Sequence, residues 1–177
     1  MPVDALRKTF PPKYNLYYPS GSSNHQGAFD LFIRILPEPA SRLYAGVKHF
    51  ELRKYVPQHT GFVFLFETGT TNALTGCFYF RQYLVDSLEE LWHQVGTRAT
   101  SRERFDAYFA SKDAGVALVI EGVARLPKPI PAAQLLADFP GLPRPPEPYV
   151  YLYTPVGGAL STFLRNQVPD FVHRFAP

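Results

Sequence analysis

The 177-residue chain holds one cysteine, one methionine and one tryptophan. A lone Cys77 can neither close an intrachain disulfide nor supply a thiolate zinc set, which excludes a disulfide-built scaffold and a zinc finger. A reducing, cytoplasmic setting is therefore expected. No apolar run approaches the ~20 residues that a membrane helix needs, and residues 1–15 hold none of signal-peptide length, so no membrane association is expected. Internal repeats and blocks of like charge are also missing. Net charge is only +3 with a pI near 9.0, which permits an anionic partner without demanding one. His25, His49, His59, His93 and His173 include no i, i+4 pair, so neither a metal site nor another cofactor is expected. No Gly-x-Ser-x-Gly elbow of a serine hydrolase occurs.

Proline and aromatic residues are plentiful, with 18 Pro, 15 Phe and 11 Tyr, and a 46% hydrophobic content beside 19% charge marks a globular chain. The prolines cluster at 11–12, 37–39, 127–131 and 143–148, where they read as joints between regular segments. An aromatic arm (Tyr14, Tyr17, Tyr18) and the turn-rich loop Ser20–Gly27 precede a first strand over Phe29–Leu36. The pattern then predicts a short helix over Pro39–Ala45 and a half-buried strand over Val47–Tyr55, whose polar set (His49, Glu51, Arg53) faces away from the core. Phe62–Phe66 reads as a strand buried on both faces, with Leu74–Val85 as its antiparallel neighbour.

Ser87 and Glu90 form a capping box ahead of Leu88, Leu91, Trp92 and Val95, and Thr100 with Glu103 repeat the device before Phe105, Tyr108 and Phe109. Val116–Val123 is strand-like, Pro131–Asp138 helical and Tyr149–Tyr153 a last strand. From Ala159 an amphipathic helix runs on, interrupted by Pro169 and ending at Phe175. Strands with helices inserted among them, rather than strict alternation, indicate an α+β class built on a small antiparallel or mixed barrel. The chain divides into an arm and loop (1–27), a main domain (28–155) and a helical extension (156–177).

The densest chemistry lies in Gly46-Val-Lys48-His49-Phe-Glu51-Leu-Arg53. Gly46 allows the backbone to bend, so that Lys48 belongs to an entry turn and shares one concave site with Glu51. Glu51 can orient the Arg53 fork for a phosphate or a base edge. The same residues on a solvated strand would be an ordinary ion pair of small energetic weight.

This Gly-x-Lys-x-x-Glu-x-Arg pattern resembles the signature of ASCH domains, a branch of the PUA-like β-barrel superfamily. The likeness continues in order through Phe62–Phe66, Thr75-Gly76, Leu88–Trp92, Ser101–Lys112, Val116–Val123, Pro127-x-Pro129-Ile130 and Pro145-Pro146, and so covers Phe29–Tyr153. It implies a PUA-like mixed barrel with inserted helices and a cleft that binds RNA, another nucleic acid or a modified nucleotide. Gly46, Lys48, His49, Glu51 and Arg53 are its candidate ligand-binding residues. Lys48 would then contact a phosphate or base carbonyl, Arg53 would give bidentate recognition, and Glu51 would orient Arg53 or accept a base amino proton. Many ASCH sequences follow the Pro-Pro pair with Gln-Ser, where this chain has Glu147-Pro148. One small ASCH subgroup hydrolyses an acetylated cytosine nucleoside with a Lys, a Thr three residues later and a distant Glu. Here Glu51 stands in the Thr position, so the resemblance does not carry that activity over. Two other classes stay open: a hydrolase or nuclease using the same cleft, and a protein-interaction module presenting the terminal segments.

Overall fold

The computed structural model describes residues 16–17, 30–57, 60–142 and 150–175. In chain order these form β1 (Leu16–Tyr17), β2 (Leu31–Ile35), α1 (Pro37–Tyr44), β3 (Phe50–Arg53), β4 (Gly61–Glu67), β5 (Ala73–Phe80), β6 (Tyr83–Ser87), α2 (Leu88–Val95), α3 (Arg102–Phe109), β7 (Ala114–Val119), β8 (Gly122–Pro131), α4 (Ala132–Asp138), β9 (Val150–Tyr151), α5 (Pro155–Gln167) and α6 (Pro169–Phe175). The strands make two sheets, in the orders β1-β6-β7-β3 and β8-β5-β4-β2-β9. All pairings are antiparallel except β2 with β4, so the larger sheet is mixed, and the α+β class read from the sequence is present. Among the described residues no helix is long and apolar enough to cross a membrane. The Ser20–Gly27 loop, the side chains of the N-terminal arm, His59 and residues 143–149 lie outside the described residues.

Period-two alternation sorts the side chains into three apolar layers. In β4, Val63 and Leu65 point inward, where they meet Ile33, Phe78, Phe80, Val116 and Leu118 in a layer between the sheets. The intervening Phe62, Phe64 and Phe66 point outward and are covered by Leu135 of α4, Leu160 and Leu164 of α5, and Phe171 and Phe175 of α6. On the opposite side, Phe50, Leu52, Leu84, Ala117 and Val119 are covered by Leu91 and Val95 of α2 and by Phe105 and Phe109 of α3. Each fully buried Phe or Leu contributes roughly 1.5–3 kcal/mol of transfer free energy, so a strand lined on both faces needs helices on its outer side.

Several boundaries differ from the sequence reading for local reasons. Leu74–Val85 is not one strand: the chain leaves β5 after Phe80 and enters β6 at Tyr83 in the other sheet. Val116–Val123 likewise divides into β7 and β8. The cap of α3 is Ser101, whose Oγ accepts from Arg104 N at 3.3 Å, one residue after the expected Thr100. Ser87 does cap α2, accepting from Glu90 N at 3.4 Å. The last long helix starts at Pro155 rather than Ala159, because Thr154 caps it and a proline fits the first helical turn. Pro127 and Pro129 are not a joint but part of β8, an edge strand whose pairing jumps from Gly76↔Arg125 to Leu74↔Ile130. A proline, lacking an N–H, is tolerated in such an unpaired edge stretch.

Gly76 marks the closest approach inside the larger sheet. A Cβ there would lie 2.3 Å from the Ala124 carbonyl oxygen and 2.6 Å from Tyr44 Oη. Because one of these neighbours is backbone, Gly76→Ala is expected to cost about 1–3 kcal/mol as an overpacking change. Denaturant unfolding measures it, and a change within about 0.5 kcal/mol, the range of an ordinary surface substitution, would show that the β5–β8 contact yields freely.

Candidate functional site

The site begins where α1 ends. Gly46 adopts φ +70°, a left-handed conformation open to glycine, and the chain turns so sharply that the Val47 and Lys48 amides both donate to Arg42 O, at 2.9 and 3.1 Å. Lys48 therefore sits on the turn and not on the pleat, as expected for a shared site with Glu51. The strand proper starts at Phe50. Phe50 and Leu52 enter the layer under α2 and α3, so Glu51 and Arg53 take the other face. That face is interior: Glu51 pairs with Leu118 and Arg53 with Val116, and both partners belong to the layer between the sheets. The expectation that this polar set faces away from the core is thus corrected for Glu51 and Arg53, because the second sheet covers the face opposite the helices. His49 alone follows it, with an exposed side chain.

Three charged side chains meet out of water. Lys48 Nζ lies 3.2 Å from Glu51 Oε2, and Arg53 Nη2 lies 2.9 Å from Glu51 Oε1. Lys48, Glu51 and Arg53 are each less than a tenth exposed. Lys48 also donates to the Ala99 carbonyl at 3.2 Å, and Arg53 Nη1 to the Leu52 carbonyl at 3.1 Å. Burial alone would raise the Glu51 pKa, but the charges of Lys48 and Arg53 outweigh it and hold the carboxyl below its ordinary value. Glu51 is accordingly ionised at neutral pH.

Two cations around one carboxylate leave a surplus of one positive charge in a buried place. The surplus has a direction. Arg53 Nε and Nη2 have no hydrogen-bond partner, the 2.9 Å approach of Nη2 to Glu51 being a charge contact without hydrogen-bond alignment. These two nitrogens lie on one edge of the guanidinium, the side-on fork that matches two oxygens of a phosphate or carboxylate. Glu51 Oε2 is also without an aligned hydrogen-bond donor despite its closeness to Lys48.

The 3-10 turn Gly96–Arg98 and the following Ala99, which sequence reasoning did not single out, hold the motif by their carbonyls. Arg42 Nη2 donates to Thr97 O at 2.6 Å, the His49 amide to Arg98 O at 2.8 Å, and Lys48 to Ala99 O. Backbone acceptors leave no residue-type signature, which explains why this loop was not legible. On the other side, Lys54 stands over the Tyr108 ring at 5.1 Å and Lys112 over the Tyr55 ring at 4.6 Å, tying the segment after Arg53 to α3 and the turn beyond it. A further polar group was also missed: Tyr44 Oη and Thr75 Oγ1 are 2.8 Å apart, with Arg125 stacked 4.3 Å from the Tyr44 ring. Burial pushes the Tyr44 hydroxyl up to about 12, so it remains a neutral donor and acceptor. Among the described residues no group of three His, Cys, Asp or Glu side chains could hold a metal. Cys77 is buried in the outer apolar layer, and its thiol is pushed up to about 12 by burial.

The sequence matches no family model and no curated protein. Solved structures do match. The ASCH protein of Zymomonas mobilis superposes with a TM-score of 0.66 at 19% identity, over 76% of this chain and 93% of that one. Its Tyr→Phe variant gives 0.67 at 21% identity over 76% and 97% of the two chains. Its Ser→Ala variant gives 0.68 at 20% over 78% and 99%. The fold is that of an ASCH domain. At this identity the likeness is one of fold, and it covers nearly all of the Zymomonas chain while leaving about a quarter of this one outside it. Within the ASCH fold, Gly46 shapes the turn, and Lys48, Glu51 and Arg53 are brought together between the sheets. His49 is held by its main chain, donating to Arg98 O and accepting from Ile120 N at 3.0 Å, with its ring in solvent.

Proposed function

We propose that this chain binds nucleic acid, RNA before DNA, or a modified nucleotide through the buried Lys48–Glu51–Arg53 site. The observation that carries this reading is the buried cluster of two cations around one carboxylate, in which Arg53 Nε has no hydrogen-bond partner and Nη2 meets Glu51 Oε1 only as a charge contact. An unsatisfied buried donor costs about 1–3 kcal/mol, so the site gains when an oxyanion or a base-edge acceptor fills it. The ASCH fold supports the choice of nucleic acid among anionic ligands. Val47 and Tyr55, each 53% exposed, flank the site in the chain and offer apolar surface to a base or sugar.

Binding is favoured over catalysis by the same charges. Glu51, held ionised by two cations, has no proton to give as a general acid, and its lowered pKa and pairing with both cations make it a weak general base. Lys48 is already engaged with Glu51 and the Ala99 carbonyl. Titrating a labelled single-stranded RNA at several salt concentrations tests the reading. Arg53→Ala is expected to weaken binding and to reduce the salt slope by about 0.7, the loss of one phosphate contact. Lys48→Ala is expected to weaken binding as well, because Glu51 would then neutralise Arg53. Unchanged affinity and slope in both variants would move the binding surface away from this motif.

A further inference from the structure

We propose that an exposed surface of Lys54, Tyr55, Tyr108 and Lys112 takes an unpaired stretch of nucleic acid, its rings stacking a base and its ammoniums meeting the backbone phosphates; this rests on the nucleic-acid reading above. The surface is built where two segments cross. β3 ends at Arg53, and the next two residues are Lys54 and Tyr55. α3 brings Tyr108 in its last turn, and Lys112 follows shortly after its end. Lys54 Nζ stands 5.1 Å from the centre of the Tyr108 ring and Lys112 Nζ 4.6 Å from that of Tyr55. The Lys112 ammonium also donates to Tyr55 Oη at 3.5 Å.

The positive charge of this surface is not neutralised. Among the described residues no carboxylate comes within 4.0 Å of Lys54 or Lys112. Asp106 of α3 is engaged by Arg102 at 2.9 Å, and Asp113, the neighbour of Lys112 in the chain, forms no ion pair with it. A tyrosine ring carries no net charge, so each ammonium keeps its own, and being held over a ring it loses less side-chain freedom when an anion arrives. Both lysines are only half-buried, so an anion reaches them from solvent. Lysine is a point-charge donor that accepts many phosphate orientations, which suits a flexible backbone.

The rings decide among anionic partners. Tyr55 is 53% exposed, and among the described residues no other ring packs against it, so its surface is open to a base. A duplex keeps its bases stacked on one another and offers no free base face. An acidic peptide would meet the two ammoniums by charge alone and bring no base to the ring. Tyr55 lies two residues past Arg53, at most about 7 Å along the backbone, so a strand of a few nucleotides lying on this surface continues the Lys48–Glu51–Arg53 motif.

The test titrates a labelled single-stranded RNA octamer, the same octamer annealed to its complement, and an acidic octapeptide against wild-type protein. The octamer is then titrated against Tyr55→Ala, Tyr55→Phe, Arg53→Ala and a double variant carrying Lys54→Gln and Lys112→Gln. The single strand is expected to bind wild type tightest. Tyr55→Ala should weaken it about tenfold, the size of one base–aromatic stack, with the salt slope unchanged, and Tyr55→Phe should keep wild-type affinity. The double lysine variant should lower the salt slope by about 1.4, two phosphate contacts on a single strand. Octamer binding that weakens in Arg53→Ala but not in the Tyr55 and lysine variants would overturn this surface and leave the nucleic-acid reading standing. Binding that weakens in Tyr55→Ala and the lysine variant but not in Arg53→Ala would support the surface and overturn the buried motif as the binding site. Duplex binding as tight as that of the single strand, or binding of the peptide in place of RNA, would overturn the proposal. No RNA binding at all would overturn both readings. The comparison of single strand, duplex and peptide uses wild-type protein alone, so a poorly folded variant does not blunt it.

Discussion

Glu51→Ala is expected to lose about 3–5 kcal/mol of folding stability, the range for breaking a buried ion pair by removing one partner. The carboxylate stands 3.2 Å from Lys48 and 2.9 Å from Arg53, and its removal leaves two cations facing each other with almost no solvent. Against the roughly 5–15 kcal/mol that stabilises a typical domain, this is a large fraction. The loss should be partly reversed by phosphate or sulfate, since an anion binding the folded state alone stabilises it by mass action. The wild-type protein should show the same chemistry as a pH dependence. The folded pKa of Glu51 lies below its ordinary 4.5, so its contribution is complete above that value and is lost as pH falls through the lower, folded one. Unfolding midpoints of wild type and Glu51→Ala should therefore converge in acid. A loss under 1 kcal/mol at neutral pH, or midpoints that keep their separation in acid, would show that the cluster is solvated.

Asp30→Ala should cost nearly as much, about 3 kcal/mol, and for a reason unrelated to binding. Asp30 is 2% exposed at the entrance of β2. Its carboxylate accepts from Arg165 Nε at 2.8 Å and Nη2 at 2.7 Å, and from the Ser161 hydroxyl, so one side chain fastens α5 to the sheet. Its carbonyl accepts from the Leu152 amide at 2.8 Å beside β9. Arg165 is a quarter exposed and can turn partly toward water, which places the loss at the lower end of the range. Denaturant unfolding gives the number, and RNA binding by the folded fraction should match wild type. A near-neutral Asp30→Ala would mean that α5 is held by Leu160 and Leu164 alone.

Much of this was legible in the sequence, and the exceptions share a cause. Ser87 announces its helix because a cap acts over three residues, and Phe62–Phe66 announces a doubly buried strand because both of its parities are apolar. The Gly46 turn and the meeting of Lys48 with Glu51 follow from spacing. Alternation also puts Glu51 and Arg53 on the face opposite Phe50 and Leu52, but it does not say which face a second sheet will cover. The passages from β5 to β6 and from β7 to β8 were hidden because the apolar pattern continues across Arg81-Gln82 and Ile120-Glu121 while the chain changes sheets. Asp30 and Arg165 are 135 residues apart, and no local pattern joins them.

The most direct test of the central claim observes the Arg53 side chain itself. Its Nε–H resonance, assigned by its disappearance in Arg53→Lys, should be visible in the free protein because the guanidinium is buried. On addition of a short RNA to saturation, this signal should shift more than those of the arginines elsewhere on the surface, such as Arg34 and Arg104. An RNA that binds while the Arg53 signal stays in place would contradict the account.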